Sequence, residues 1–480
     1  MAIKKYFANA DTTITNAFKA NLVTRGVSGN MGQSDILEVF SIYGQSTLSS
    51  SELSRILIQF PINEISNDRN NNLVPLSGSV SWYLRLFNAK HSNTVPKDFT
   101  LSISAVSRSW QEGYGLDMEE YSDVGYANWN SASSSSAGGV VNWTSAGGDY
   151  RITPQPVSQT FSTGLEDLTV DVTNIVESWL TGSVQNYGFG VSLTSSEEQE
   201  AQSYYTKRFF ARGTEFFFKR PILEARWNSV KRDNRGYFYA SSSLASAQDN
   251  LNTIYLYNVV RGRLTNIPSI GTGSIYVRIF DDPSGSNMLT PTPNNPVTGG
   301  WVSTGIYTAS FALNTTASEV FDRWFNSTLT NCFHTGAIDI YDLDSPDYSL
   351  TNRYVVSCTN LKPVYYPEEQ SRFRFFVRKK DWQPTIYNVA TNFIPSEIIE
   401  SASYKIIRVA DNLEVIPYGT GSLLHTGLSY DVSGSYFDLD MNMLEPDYSY
   451  QIKLSFYDGV TNSWKEQSDT FKFRVEKNEP

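Results

Sequence analysis

Cysteine and histidine are nearly missing from this sequence. Its 480 residues carry two cysteines, Cys332 and Cys358, and three histidines, His91, His334 and His425. Two cysteines are too few for a disulfide framework in a chain this long, so two buried free thiols are the expectation, with pairing open only if their strands are neighbours. Three histidines in three unrelated settings support neither a three-histidine zinc site nor a Ser-His-Asp triad. His334 stands two residues from Cys332, but no CxxC or HxH spacing completes a metal set. No segment reaches the roughly eighteen unbroken apolar residues of a membrane span. Behind Lys4 and Lys5 no apolar stretch is long enough for a signal peptide, so neither membrane nor export is expected. Basic residues are in the minority too, 38 against 49 acidic for a net charge of −11. The chain as a whole therefore has no attraction for nucleic acid or anionic lipid.

What the sequence has in quantity is aromatic: 29 Tyr and 27 Phe, with aromatics at 14% overall. Alternating runs such as "SRILIQFPI", "VSWYLRLFN" and "FTLSISAVS" read as half-buried strands. The length implies two to four domains. Turn clusters divide it into residues 1–227, 228–377 and 378–480, each rich in strand signals, which predicts an all-β chain of tandem sandwiches with very little helix. The Ser/Gly stretch from Asn130 to Gly139 reads as a loop tip that cannot pack. Two short helices are predicted. One is "TNIVESWL", Thr173 to Leu180, where Asp171 or Thr173 caps, Ile175, Val176 and Trp179 share a face and Gly182 ends the turn. The other is "SEVFDRWF", Ser318 to Phe325.

The first region resembles the DNRLRE-type jelly-roll domain, a sandwich related to a growth-factor propeptide fold and to a family of carbohydrate-binding modules. The resemblance rests on "ADTTI" with Asp11, the Asn-x-Gly of "NMGQSDILEV", Arg55 and Phe60 of "SRILIQFPI", and Trp110 of "SRSWQEG". It continues with Trp143 of "VNWTSAGGDY", then "VDVTNIVESWLTG", "NYGFGVSL" and "KRPILEARW", all in family order. It implies that Asp171, Thr173 and Trp179 belong to a structural helix closing one end of the sandwich. The opening "ANADTTITNAFKANLVTRG…NMGQSDILEVFSIYG" is also similar to virion structural proteins of tailed phages, particularly myoviruses of marine bacteria. In "LEPDYSYQI", Leu444, Pro446, Tyr448 and Tyr450 fall two apart as in the tyrosine corner of fibronectin type III and immunoglobulin-like domains.

Carboxylates cluster without completing a known site. Asp438, Asp440 and Asn442 have calcium-loop spacing, but Met443 stands where such a loop needs Gly and Ser449 where it needs Glu. A strand with Phe437, Leu439 and Met441 inward explains the same spacing. Asp342, Asp344 and Asp347 suit an ordinary turn, and Asp117, Glu119 and Glu120 read as surface acids. In "TKRFFARGTEFFFKRP", Phe209 and Phe216 to Phe218 read as core and strand residues. No catalytic group, metal or cofactor is expected, and no enzyme. The resemblances imply a structural component on the neck, tail or head surface of a phage particle, assembled in the host cytoplasm. It would bind other virion proteins, in multiple copies and symmetric, without nucleic acid or membrane. Ile3, Lys4, Lys5, Tyr6 and Phe7 are the candidate arm that ties it to a neighbouring chain, with extension of the first strand as the alternative. The alternative function is a carbohydrate-binding adhesin module contacting polysaccharide through Trp82, Trp110, Trp129 and Trp143.

Overall fold

The computed structural model describes residues 2–44, 51–90, 96–118, 125–135, 139–201, 204–341, 353–382, 386, 396–419 and 424–478. Among the described residues strands hold 46% and helices 7%, so the fold is all-β. It forms two compact units, one of residues Ile3–Trp227 and one that runs from Asn228 to the carboxy terminus.

The first unit contains β1 (Ile3–Phe7), β2 (Ala10–Thr15), β3 (Ile36–Tyr43), β4 (Ser51–Gln59), α1 (Ile62–Asn70), β5 (Ser81–Leu86) and β6 (Phe99–Ala105). There follow β7 (Ser131–Ser134), β8 (Val140–Asn142), β9 (Val157–Phe161), β10 (Leu168–Asp171), α2 (Thr173–Leu180), β11 (Phe189–Leu193), α3 (Ser195–Glu198), β12 (Tyr204–Phe210) and β13 (Ile222–Arg226). One sheet has the order β1-β13-β5-β10; the other runs β12-β3-β4-β11-β6-β9, with β2 also paired to β4. Alternation decides which side chains enter the core: β5 buries Trp82, Leu84 and Leu86, and β6 buries Phe99, Leu101, Ile103 and Ala105. Each of these Leu, Ile and Phe side chains contributes about 1.5–3 kcal/mol on leaving water.

Of the two readings of Ile3–Phe7, the strand holds and the free arm does not: the segment is β1, antiparallel to β13 in a register running from Ile3↔Arg226 to Phe7↔Ile222. Tyr6 is buried and donates its hydroxyl to Asp68 of α1 at 2.7 Å, and Lys4 pairs with the same carboxylate at 2.6 Å. Burial pulls the Lys5 ammonium down to about 8, against the attraction of Glu224 opposite it. The strand fills a sheet edge that would otherwise leave the β13 backbone groups unpaired. The base of the Ser/Gly stretch packs, since Ser131–Ser134 pairs with Val140–Asn142 and the small Ser131 and Ala132 are buried, whereas Ser134, Ser135 and Gly139 are exposed and residues 136–138, the expected loop tip, lie outside the described residues.

In the second unit, seven strands make one sheet in the order Phe238–Tyr239, Cys332–Tyr341, Glu319–Phe325, Ile275–Phe280, Val297–Ser303, Ile306–Phe311 and Asn252–Tyr257. Strands from both edges feed one core, including Phe238, Ile254, Val277, Phe311, Trp324 and Ile338. The Phe238 and Phe311 rings lie 5.4 Å apart. The Asn252 side chain bridges the edges, accepting from Tyr239 N–H at 3.2 Å and donating to Tyr239 C=O at 2.9 Å. The middle region is thus a curled half-barrel. Residues 319–325, expected to be helical, form a strand with Val320, Asp322 and Trp324 buried: a period of two overrode the helical spacing.

The carboxy-terminal sandwich pairs a four-stranded sheet (Tyr354–Cys358, Gln370–Lys379, Gly434–Asp440, Ser429–Asp431) with a five-stranded one (Val364–Tyr365, Ser463–Val475, Tyr448–Asp458, Ala402–Arg408, Leu413–Ile416). Tyr404 and Phe437, one from each sheet, stack at 3.7 Å. Strands 354–358 and 370–379 therefore belong to this module, and its boundary falls before Tyr354 rather than at residue 378, because the "FRFFV" run needs Gly434–Asp440 as its neighbour. The segment after Asn228 ties the two modules together. Arg232 bridges to Tyr430, Asp233 N–H donates to Tyr430 C=O at 3.1 Å, and Arg235 grips Asp322 with both terminal nitrogens at 2.6 and 2.8 Å.

Candidate interaction surfaces

The residues carrying the family resemblance sit in the framework of the first unit. Asp171 accepts from Thr173 N–H at 2.9 Å, and Thr173 Oγ1 accepts from Trp82 N–H at 2.8 Å. The residue at the cap of α2 is Val172, with no side-chain cap; Asp171 and Thr173 instead pin the turn to β5. Trp179 is buried 4.7 Å from Phe189, and Gly182 ends the helix at φ +74°. Glu177 on α2 accepts from Arg69 at 2.6 and 2.8 Å and from Trp82 Nε1 at 2.9 Å. Burial pushes its carboxyl up, but these donors outweigh it and hold it below its ordinary range. Arg55 makes a bidentate pair with Glu198 at 2.9 and 2.7 Å, donates to Gly147 C=O at 2.8 Å and lies over Trp129 and Tyr150. Phe60 is buried beside Phe189.

Asn30, the Asn of the Asn-x-Gly motif, is completely buried and uses all of its polar groups. Nδ2 donates to the Glu112 and Ala127 carbonyls at 2.8 Å each, and Oδ1 accepts from Gly32 and Gly115 at 3.1 and 2.8 Å. Beside it Asp11 accepts from Arg212 N–H at 2.6 Å, while Arg212 forks onto Glu112 at 2.6 and 2.5 Å. Burial first, with repulsion from Glu112, raises the Asp11 carboxyl to about 7 despite the Arg212 contacts. Sequence reasoning could name these residues, but not the partners Glu112, Glu177 and Glu198, which lie 80 or more positions away.

The tryptophans proposed to stack on sugar do not face solvent. Trp82, Trp110, Trp129 and Trp143 are all buried, and three donate inward: Trp82 to Glu177, Trp110 to Tyr187 C=O at 2.7 Å and Trp143 to Asn128 C=O at 2.8 Å. The other candidates also resolve individually. Asp438 pairs with Arg372 at 2.7 Å, and Asp440 accepts from Asn442 N–H at 3.1 Å. Phe437, Leu439 and Met441 are buried as expected. Phe209 is core, but Phe217 and Phe218 lie on a 3-10 turn and Phe216 is exposed, because the turn breaks the strand period before β13. Both cysteines are free, but Cys332 is exposed and Cys358 half-buried rather than both buried, since Cys332 opens its strand far from the two residues that Phe238–Tyr239 pairs and Cys358 ends an edge strand. His91, Glu119, Glu120, Asp342, Asp344 and Asp347 lie outside the described residues. Among the described residues no group of three or more His, Cys, Asp or Glu is placed to hold a metal ion.

In the carboxy-terminal module Tyr450 is buried and its hydroxyl donates to Glu445 C=O at 2.7 Å, which is the tyrosine-corner bond. Tyr448 is partly exposed, with the Arg408 guanidinium 4.7 Å from its ring. A different pair carries the surface chemistry. Tyr457 and Trp464 are register partners at the end of the hairpin formed by Tyr448–Asp458 and Ser463–Val475. They are 41% and 50% exposed, with centroids 5.6 Å apart and planes tilted by 59°. Asp458 staples the turn by accepting from Val460 N–H, Thr461 Oγ1 and Lys465. Two residues along the strand, Glu466 accepts from Lys453 at 2.7 Å, Lys405 at 2.8 Å and Tyr418 at 3.2 Å. Hydrogen bonds from the two lysines hold its carboxyl down at about 2. Sequence reasoning missed this face. The available signal was the lone aromatic among Glu466, Ser468, Thr470 and Lys472, the outward positions of "SWKEQSDTFKF".

No protein-family model matches the chain, and no curated protein does. Among solved structures, similar ones include the two immunoglobulin domains of DIP-gamma, at 9% identity and TM-score 0.13, covering 48% of this chain and 91% of that one. Another is the Yersinia pseudotuberculosis adhesin InvE, at 9% and 0.16, covering 51% and 57%. A third is Escherichia coli alpha-2-macroglobulin, at 8% and 0.17, where the match covers 89% of this chain and 22% of that one. Similarity at this level does not extend beyond β-sandwich character, which the sheets establish by themselves. The chain is a tandem β-sandwich protein with an immunoglobulin-like carboxy-terminal module.

Proposed function

We propose that this protein is a non-enzymatic structural component of a tailed-phage particle, an accessory protein of the neck, tail or head surface that binds other virion proteins. The observation that carries the reading is how the Asn30 region presents two loops. Gly26 and Gly29 pack against the Met118 carbonyl so closely that a Cβ on either would lie 2.7 or 2.8 Å from that oxygen. The two neighbouring loops leave Val23 80%, Tyr114 69% and Leu116 49% exposed. Apolar side chains held out on a braced loop end suit a protein partner. The loop that carries Val23 lies within the opening segment that resembles virion proteins, and the buried Asn30 hub braces the Tyr114–Leu116 loop beside it. Immunogold labelling and mass spectrometry of intact, purified particles test the proposal, with the protein expected at the particle surface in stoichiometric amounts. Its absence from the particles would overturn it. A second reading, a carbohydrate-binding module, is favoured by one observation, the exposed Tyr457–Trp464 pair.

A further inference from the structure

We propose that the outer face of the five-stranded carboxy-terminal sheet is a binding site for a neutral polysaccharide, with Trp464 and Tyr457 as the stacking platform. The proposal deepens the carbohydrate-binding reading and does not depend on the virion reading. Phe456 points into the core, so Tyr457 and, across the ladder, Trp464 point outward. Among the described residues the Trp464 indole N–H has no hydrogen-bond partner, so one ring face and one donor are left for a ligand. The two rings, tilted by 59°, suit successive pyranose rings of a twisted chain better than one flat ligand.

The surroundings decide the class of ligand. Beside the aromatic pair lie Lys405 and Lys453 against Glu466 and Glu414, two positive groups against two negative, tied to one another at 2.7–3.2 Å. With the Lys465–Asp458 pair at the turn, the charges beside the rings cancel, and the outward Lys472 lies eight residues along the strand from Trp464. The Glu466 carboxylate and Tyr418 hydroxyl are held in place, ready to meet ligand hydroxyls without reordering. A protein partner would need about 800 Å² from each side with an apolar centre. Two rings and the half-exposed Val460 of their turn, bordered by charged side chains, do not supply that, whereas a pyranose presents one apolar C–H face and a rim of hydroxyls, the same two-part pattern. Trp464 and Tyr457 are positioned by the Asp458-stapled turn, so the platform exists before any ligand arrives.

The experiment is affinity gel electrophoresis of the full chain through gels containing dextran, laminarin or a soluble β-1,4-glucan, with alginate as the charged control. At least one neutral polymer is expected to retard the protein, insensitive to salt up to about the concentration that screens surface charge. W464A is expected to weaken binding by roughly tenfold or more, Y457A by less, and W464F to restore part of the loss. Trp464 is half exposed, so W464A keeps the wild-type melting temperature, which separates lost binding from lost folding. Lack of retardation by all three neutral polymers overturns the proposal. So does retardation that W464A leaves unchanged, stronger retardation by alginate, or self-association of the chain that W464A abolishes, which would make a second copy the occupant. Particles that incorporate the W464A chain normally leave the virion reading intact whatever the gels show.

Discussion

Asp11 allows a test in which burial and charge predict opposite pH behaviour for two nearly identical side chains. It is 1% exposed, accepts the Arg212 N–H at 2.6 Å and sits beside Glu112. Burial and the Glu112 charge raise its carboxyl from 3.8 to about 7, with Arg212 opposing. A carboxyl raised in the folded state binds its proton more tightly there than in the unfolded chain. Its contribution is therefore most favourable at low pH and is lost as pH climbs from about 4 through about 7. The interval from 3.8 to about 7 corresponds to about 4 kcal/mol, an upper figure because solvent penetration and relaxation screen buried charge. Asp11→Asn keeps the acceptor for Arg212 and removes the ionisation. The expected result is a variant about 1 kcal/mol more stable than the parent at pH 4.5 and more stable by up to about 4 kcal/mol at pH 8. Urea unfolding followed by tryptophan fluorescence reads this directly, because Trp82, Trp110, Trp129, Trp143, Trp179 and Trp227, six of the ten tryptophans, lie in the same unit. The difference between variant and parent isolates Asp11 from other titrating groups. A variant equally destabilised at both pH values would refute the reasoning and make the ionised carboxylate a net stabiliser through Arg212.

Three further outcomes follow from the packing. Trp179→Ala should destabilise the first unit by about 3–5 kcal/mol, read as loss of near-ultraviolet ellipticity and a lower melting temperature; an unchanged melt would mean that α2 does not hold the sandwich end. Deleting residues 1–7 should strip β1 from β13 and leave Asp68 without Lys4 and Tyr6, giving an aggregating or low-melting protein; a soluble product with the parental melt would restore the arm interpretation. Tyr450→Phe should cost about 1 kcal/mol by removing the donor to Glu445 C=O, measurable in urea; no change would show that water replaces it.

The strands were legible wherever one face of a sheet meets a core, because alternation is then written into the residues themselves: "SRILIQFPI" and "FTLSISAVS" need no partner to be recognised. The helix at Thr173–Leu180 and the corner at Tyr450 were legible for the same local reason, since their bonds close within five residues. Residues 1–10 were not, because their two lysines are explained only by Asp68 and Glu224, distant in sequence and brought close by the sheets. Residues 319–325 fit both periods, and the neighbouring strands decided between them. The tryptophans state the division most plainly. Trp82 and Trp464 both stand second in an alternating strand, yet one is fully buried and the other half exposed. The sequence determines that such a residue alternates with its neighbours; which of the two faces another sheet then covers is settled only when chain segments far apart in sequence pack together.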